Sequence, residues 1–187
     1  MGVPTIDTGP MTVEDFYTLV DSRPDNERWE LIDGEPILNA WPAYRHQRIV
    51  TNILRILLVA ERRPGPWQVL PGLAVRVSTS SLPVPDVLVR PSGFIAGREC
   101  DDMMVAFEVL SPSTVNRDLR WKRSAYTALP SLTHYVVIAQ DTIEVVVYER
   151  SAEFKERRFI TPDAVISFPT LATALPLAEI YRDAELL

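Results

Sequence analysis

Met104-Val105-Ala106-Phe107-Glu108-Val109-Leu110-Ser111-Pro112 reads as a buried strand, because β-branched and aromatic residues run almost unbroken into a Ser-Pro stop. Inside it stands Glu108. An ionised carboxylate in an apolar strand must be paired, hydrogen-bonded or bound to a metal, since a bare one in a low-dielectric interior costs several kcal/mol or more. Two readings follow from the strand alone. Either Glu108 belongs to a site, or it lies at the strand's mouth and pairs with a nearby Lys or Arg.

Working outward, Pro83-Val84-Pro85-Asp86 puts an aspartate at the start of the preceding long strand, where proline has removed a backbone donor and marks an edge or mouth. On the other side, a helix is predicted over Thr114 to Leu129, entered through Ser-Pro-Ser-Thr, whose hydroxyls suit N-capping, and ended near Pro130. Asp118, Lys122 and Tyr126 follow at i, i+4 steps and therefore share one face of it. Two carboxylates from neighbouring strands and one lysine suit Mg²⁺ or Mn²⁺, hard cations that take few carboxylates and keep several waters. Such a set can cleave a phosphodiester, the metal stabilising charge on a phosphoryl oxygen while the ammonium orients water or supports the transition state.

The rest of the chain supplies the frame. Met1 to Pro10 lacks periodicity and is expected to be a loose lead-in. A short helix is expected after Thr12, with Phe16, Leu19 and Val20 on its apolar face. A hairpin over Arg28 to Ile32 and Pro36 to Leu38 turns at Asp33-Gly34. From Tyr44 to Arg63, Ile49, Ile53, Leu54, Ile56, Leu57 and Ala60 recur at helical spacing until Pro64-Gly65-Pro66. Strands are predicted at Trp67 to Leu70, Leu73 to Ser78, Asp86 to Val89, His134 to Ala139, Ile143 to Tyr148 and Arg158 to Ile160, with a weak helical stripe after Leu175. These elements give one mixed α/β domain over residues 1–187, without repeats or linkers.

At 187 residues and 47% hydrophobic content the chain can bury a substantial core. Its single cysteine, Cys100, excludes an internal disulfide and a cysteine metal cluster, so a reducing, cytoplasmic setting is expected. No signal peptide is evident at the N-terminus, and no apolar run approaches the ~18 residues that would span a bilayer. The net charge of -6 opposes nucleic-acid binding by the molecule as a whole, so any such contact must rest on a local patch.

Pro85-Asp86, Phe107 to Thr114 and Asp118 to Tyr126 resemble the motifs of the Uma2 family (DUF820) of restriction-endonuclease-like proteins, as do Trp29 to Glu35 and His46-Gln47. Together they span about Met11 to Tyr148. The resemblance implies a PD-(D/E)XK nuclease fold, a central mixed sheet flanked by helices and preceded here by a hairpin. It also implies a DNA substrate and Asp86, Glu108 and the Val109 backbone carbonyl as metal ligands. In the standard motif a lysine follows the glutamate by two residues, where this chain has Leu110. Lys122 then looks like a migrated replacement, and Asp86, Glu108 and Lys122 become the expected catalytic set.

Other residues have two readings each. Glu30 either completes the acidic cluster or lies on a solvated hairpin face. His46 either approaches the site or holds a helix N-terminus by a polar contact. Asp118 can orient Lys122, Tyr126 reads as packing, and Arg117, Arg120 and Arg123 read as a helix surface that can also meet phosphates. A homodimer fits the need to cut two strands. The alternative function is a catalytically inactive nuclease-fold module for nucleic-acid or protein interaction, and a third is a phosphohydrolase of small nucleotides.

Overall fold

The computed structural model describes residues 9–61, 65–111 and 117–186, without the side chains of residues 117 and 118. The chain separates into two compact units, residues 1–41 with 76–83, and residues 42–75 with 84–187.

In the smaller unit, α1 (Val13–Asp21) is capped by Thr12, whose hydroxyl accepts from the Asp15 N–H at 3.2 Å. Strands β1 (Arg28–Ile32) and β2 (Glu35–Asn39) form the expected hairpin. Asp33 and Gly34 both have positive φ, 50° and 81°, as a tight two-residue turn requires. A side chain at position 34 would also meet the Pro10 Cβ at 2.3 Å. The strand predicted from Leu73 to Ser78 is interrupted here. The Val77 N–H turns to the Ser81 carbonyl, and Arg76 pairs with Glu14 at 3.0 Å.

In the larger unit the elements run α2 (Tyr44–Ala60), β3 (Trp67–Pro71), β4 (Ala74–Val75), β5 (Val87–Pro91), β6 (Glu99–Cys100) and β7 (Val105–Val109). A π-helical turn (Arg117–Lys122) leads into α3 (Arg123–Thr127), then come β8 (His134–Ile138), β9 (Val145–Glu149), β10 (Glu156–Phe159), β11 (Val165–Phe168), β12 (Thr173–Pro176) and α4 (Leu177–Ile180). The sheet order is β10-β9-β8-β7-β5-β3. Only β7 and β8 are parallel within it; the other pairs are antiparallel. The parallel step requires a crossover, which the segment containing α3 supplies.

Alternation sorts the strands into two faces. Val87, Val89, Val105, Phe107, Val109, Val136, Ile138, Val145 and Val147 join one buried cluster with Ile49, Ile53 and Leu57 of α2 and Leu177 and Ile180 of α4. On the opposite face Tyr126 of α3 meets Tyr135 edge-on, and Tyr135 stacks on Tyr148. Asn52 on α2 donates to the Ile180 and Arg182 carbonyls at 3.0 and 2.7 Å, tying the C-terminal end of α4 to the long helix.

Two more expectations shift, and one element is new. The helix predicted from Thr114 is π-helical from Arg117 and α-helical only to Thr127; its Ser-Pro-Ser-Thr opening falls mostly outside the described residues. The helical stripe after Leu175 shortens to α4. The β11–β12 hairpin was not anticipated, because Pro169 falls between its strands and only Ile166 and Phe168 of β11 are buried.

Two buried titratable groups give tests of this packing. Burial holds the His134 imidazole below its ordinary pKa, with Glu149, 3.8 Å away, opposing the shift. On acidification the unfolded chain takes up this proton first, so the contribution of His134 to stability is intact above about pH 6.5 and is lost as the pH falls further. Urea unfolding of wild type and His134→Leu across that range should show a shallower acid-side loss in the variant. Burial likewise pushes the Cys100 thiol up to about 11. Alkylation near neutral pH should therefore spare Cys100 in the folded chain and label it in urea.

Candidate active site

The antiparallel register of β5 and β7 pairs Val87 with Phe107, Leu88 with Ala106 and Val89 with Val105. The ladder ends at the Val87–Phe107 pair, and Asp86 and Glu108 are the next residues of the two segments. A hydrogen bond fixes the approach. Asp86 Oδ2 accepts the Val109 N–H at 2.8 Å. His46, in the first turn of α2, places Nε2 3.2 Å from the same oxygen. His46 thus contacts the Asp86 carboxylate from the first turn of α2, a geometry that serves both of its readings, and its Nδ1 is buried without a hydrogen-bond partner among the described residues.

Glu108 is 3% exposed and is compensated at close range. Its Oε1 accepts from Lys122 Nζ at 2.9 Å and from the Tyr126 hydroxyl at 3.3 Å. The ammonium, 2% exposed, also donates to the Val84 carbonyl at 3.2 Å, beside Pro85-Asp86. Lys122 closes the π-helical turn and Tyr126 lies one α-turn later. The four-residue step between them lets both reach one carboxylate oxygen. Tyr126 therefore does more than pack: a fully buried phenol ends on the acid. The signal was its spacing from Lys122, but nothing in the sequence gave the direction of its hydroxyl.

The remaining candidates divide. Glu30 is 2% exposed, which rules out the solvated face, and accepts from Asn39 Nδ2 at 3.0 Å within the hairpin of the smaller unit. The side chains of Asp118 and Arg117 lie outside the described residues. Arg120 is exposed, whereas the Arg123 guanidinium sits 4.3 Å from the centroid of the Tyr148 ring and so serves packing as well as charge. No helix among the described residues is long and apolar enough to cross a membrane.

A crystal structure of a "putative nuclease belonging to DUF820" from Anabaena variabilis is similar to this chain, with a TM-score of 0.74. The match covers 92% of this chain and 98% of that one at 18% identity. At that identity the likeness is one of fold. No curated protein matches the chain. The family model described as "Putative restriction endonuclease" matches residues 13–178, and it takes in both strands of the Asp86–Glu108 pair and the helical segment carrying Lys122. By that match, and with a mixed central sheet flanked by helices in the fold of a nuclease relative, the chain belongs to the Uma2 family.

Proposed function

We propose that the chain is a divalent-metal-dependent endodeoxyribonuclease, in which Asp86 and Glu108 are the metal ligands and Lys122 serves the attacking water. The observation that carries the reading is the closed set at the mouth of β5 and β7. Asp86 accepts the Val109 N–H next to Glu108 there, and a buried lysine lies 2.9 Å from the glutamate. A purely structural sheet has no need of a glutamate as buried as Glu108, and burying that carboxylate is costly.

The donor set fits Mg²⁺ or Mn²⁺. Two carboxylates and the Val109 carbonyl leave places for waters, as Mg²⁺ prefers. Among the described residues the hydrogen-bonding contacts of Asp86 fall on Oδ2, so Oδ1 is the atom proposed to face a ligand. When bound, such an ion supplies charge stabilisation at the phosphoryl oxygens and a more acidic water.

The protein's own groups do the positioning. The Val109 N–H and His46 orient the Asp86 carboxylate, and Tyr126 and Lys122 orient that of Glu108. Lys122, held between Glu108 and the Val84 carbonyl, brings a fixed positive charge to the place where charge develops on phosphorus-bound oxygens. Cutting both strands of a duplex requires two such sites, which a homodimer would provide. Incubating the chain with supercoiled DNA, RNA and small nucleotides, each with Mg²⁺, Mn²⁺ or EDTA, tests the reading. Metal-dependent nicking of DNA is expected. Hydrolysis confined to small nucleotides would move the assignment to a phosphohydrolase, and the absence of any hydrolysis by folded protein would move it to an inactive interaction module.

A further inference from the structure

Charge is divided unequally along the chain. The residues of the smaller unit carry nine Asp and Glu against three Arg, while those of the larger unit carry sixteen acidic and sixteen basic residues. The whole net charge of -6 therefore belongs to the smaller unit, where Asp15, Asp21, Asp25, Asp33 and Glu35 are exposed. Of its arginines, Arg76 is committed to Glu14 at 3.0 Å, and the Arg23 guanidinium lies 5.6 Å from the centroid of the Trp29 ring.

The hairpin of the same unit has an open edge. β1 has β2 on one side and Leu82 on the other, whereas β2 pairs with β1 alone among the described residues. The two-residue turn makes Ile32 and Glu35 a hydrogen-bonded pair, and bonded and unbonded pairs then alternate along the ladder. Leu31–Pro36 and Trp29–Leu38 fall on unbonded positions. Two facts agree with that phase. The Leu31 N–H and C=O turn away from β2 to Leu82, at 3.4 and 2.7 Å, and Pro36, which has no N–H to give, stands where none is needed. By the same phase the N–H and C=O of Leu38 point outward from β2, and Leu38 is 51% exposed. Its side chain shares a face with Trp29 and Pro36, while Glu35, Ile37 and Asn39 project from the other face.

We infer that the outer edge of β2 takes an extended, basic segment of another protein as a third strand, with apolar and cationic side chains in alternation. Main-chain bonds to Leu38 make the attachment, apolar side chains lie beside Leu38 and Trp29, and cationic ones lie on the face of Glu35. The acidic unit selects the sign of the partner's charge. A second copy of this chain is a poor occupant, because pairing β2 with β2 brings together two units that each carry the full net charge of -6. The same charge disfavours nucleic acid at this edge.

The probe is a short fluorescent peptide of alternating valine and lysine, added to the full chain at physiological ionic strength and followed by anisotropy. In the inferred pairing the valines share the face of Leu38, so their N–H groups point at β2 and those of the lysines point away. N-methylation of the valines should weaken binding about tenfold or more, the order expected when hydrogen bonds to a partner are lost, and N-methylation of the lysines should leave it unchanged. The two methylated peptides carry equal charge and the protein is unaltered, so neither unfolding nor general attraction imitates that difference. Glu35→Gln, at an exposed position, should weaken binding of the parent peptide, and a peptide with glutamate in place of lysine should not bind. Absence of binding by the parent peptide would overturn the inference, as would equal affinities for the two methylated peptides or equal binding of the glutamate peptide. Peptide-driven dissociation of a dimer in sedimentation velocity would also overturn it, by marking the edge as held by a second copy. None of these readouts involves cleavage, so the inference and the nuclease reading can fail independently.

Discussion

Asp86→Asn is expected to abolish metal-dependent cleavage while the chain stays folded. The asparagine oxygen can still accept the Val109 N–H that Asp86 holds at 2.8 Å, so the mouth of β5 and β7 keeps its tie and the stability change should stay within about 1 kcal/mol. What is lost is the negative charge that draws a hard cation to the carboxylate facing Glu108. Cleavage should fall by about 10²-fold or more, the scale lost when one group stabilising transition-state charge is removed. Calorimetric titration with Mg²⁺ and Mn²⁺ should show saturable binding to the wild type that the variant lacks. Cleavage by the variant at the wild-type rate would remove Asp86 from the site.

The second large effect is on stability. Lys122→Met removes the cation 2.9 Å from a glutamate that is 3% exposed, while the Tyr126 hydroxyl stays at 3.3 Å. Breaking a buried ion pair from one side costs about 3–5 kcal/mol, far more than the pair itself contributes. Chemical unfolding should show that loss. The double variant Lys122→Met, Glu108→Leu should recover much of it, because both members of the buried pair have gone together, so the two substitutions will be strongly non-additive. Glu108 as a metal ligand makes a further prediction. Millimolar Mg²⁺ should raise the stability of Lys122→Met more than that of the wild type, since a bound cation stands in for the missing ammonium. Equal effects on both would mark the pair as structural, and nuclease activity would then have to be sought with Glu108 in another role.

Local chemistry made much of this chain legible. Asp33-Gly34 dictates the hairpin because both turn residues need positive φ, and the sequence offers there the pair that tolerates it best. The three- and four-residue spacing from Ile49 to Leu57 dictates α2, since only a helix gathers those residues on one face. A glutamate inside Val105–Val109 dictates that the core carries a charge needing a partner. It was less legible that Leu73 to Ser78 would break after Val75, or that the segment from Arg117 would adopt π geometry. Each depends on hydrogen bonds to residues distant in sequence or on packing that overrides local preference.

The site divides along the same line. That Asp86 begins a strand, that Glu108 is buried and that Lys122 and Tyr126 share a helical face are properties of short stretches, fixed by proline placement and by the periods of strand and helix. The approach of Asp86 to β7 is a matter of register, and a one-residue slip of β5 against β7 would move it off the Val109 N–H. The partner of His46 was likewise beyond the sequence. His46 contacts Asp86 only because α2 packs with its first turn near the C-terminal ends of the strands. Sequence alone singled out the candidate residues; the tertiary structure decided which of them meet, because register and helix packing are settled by burying the whole core at once.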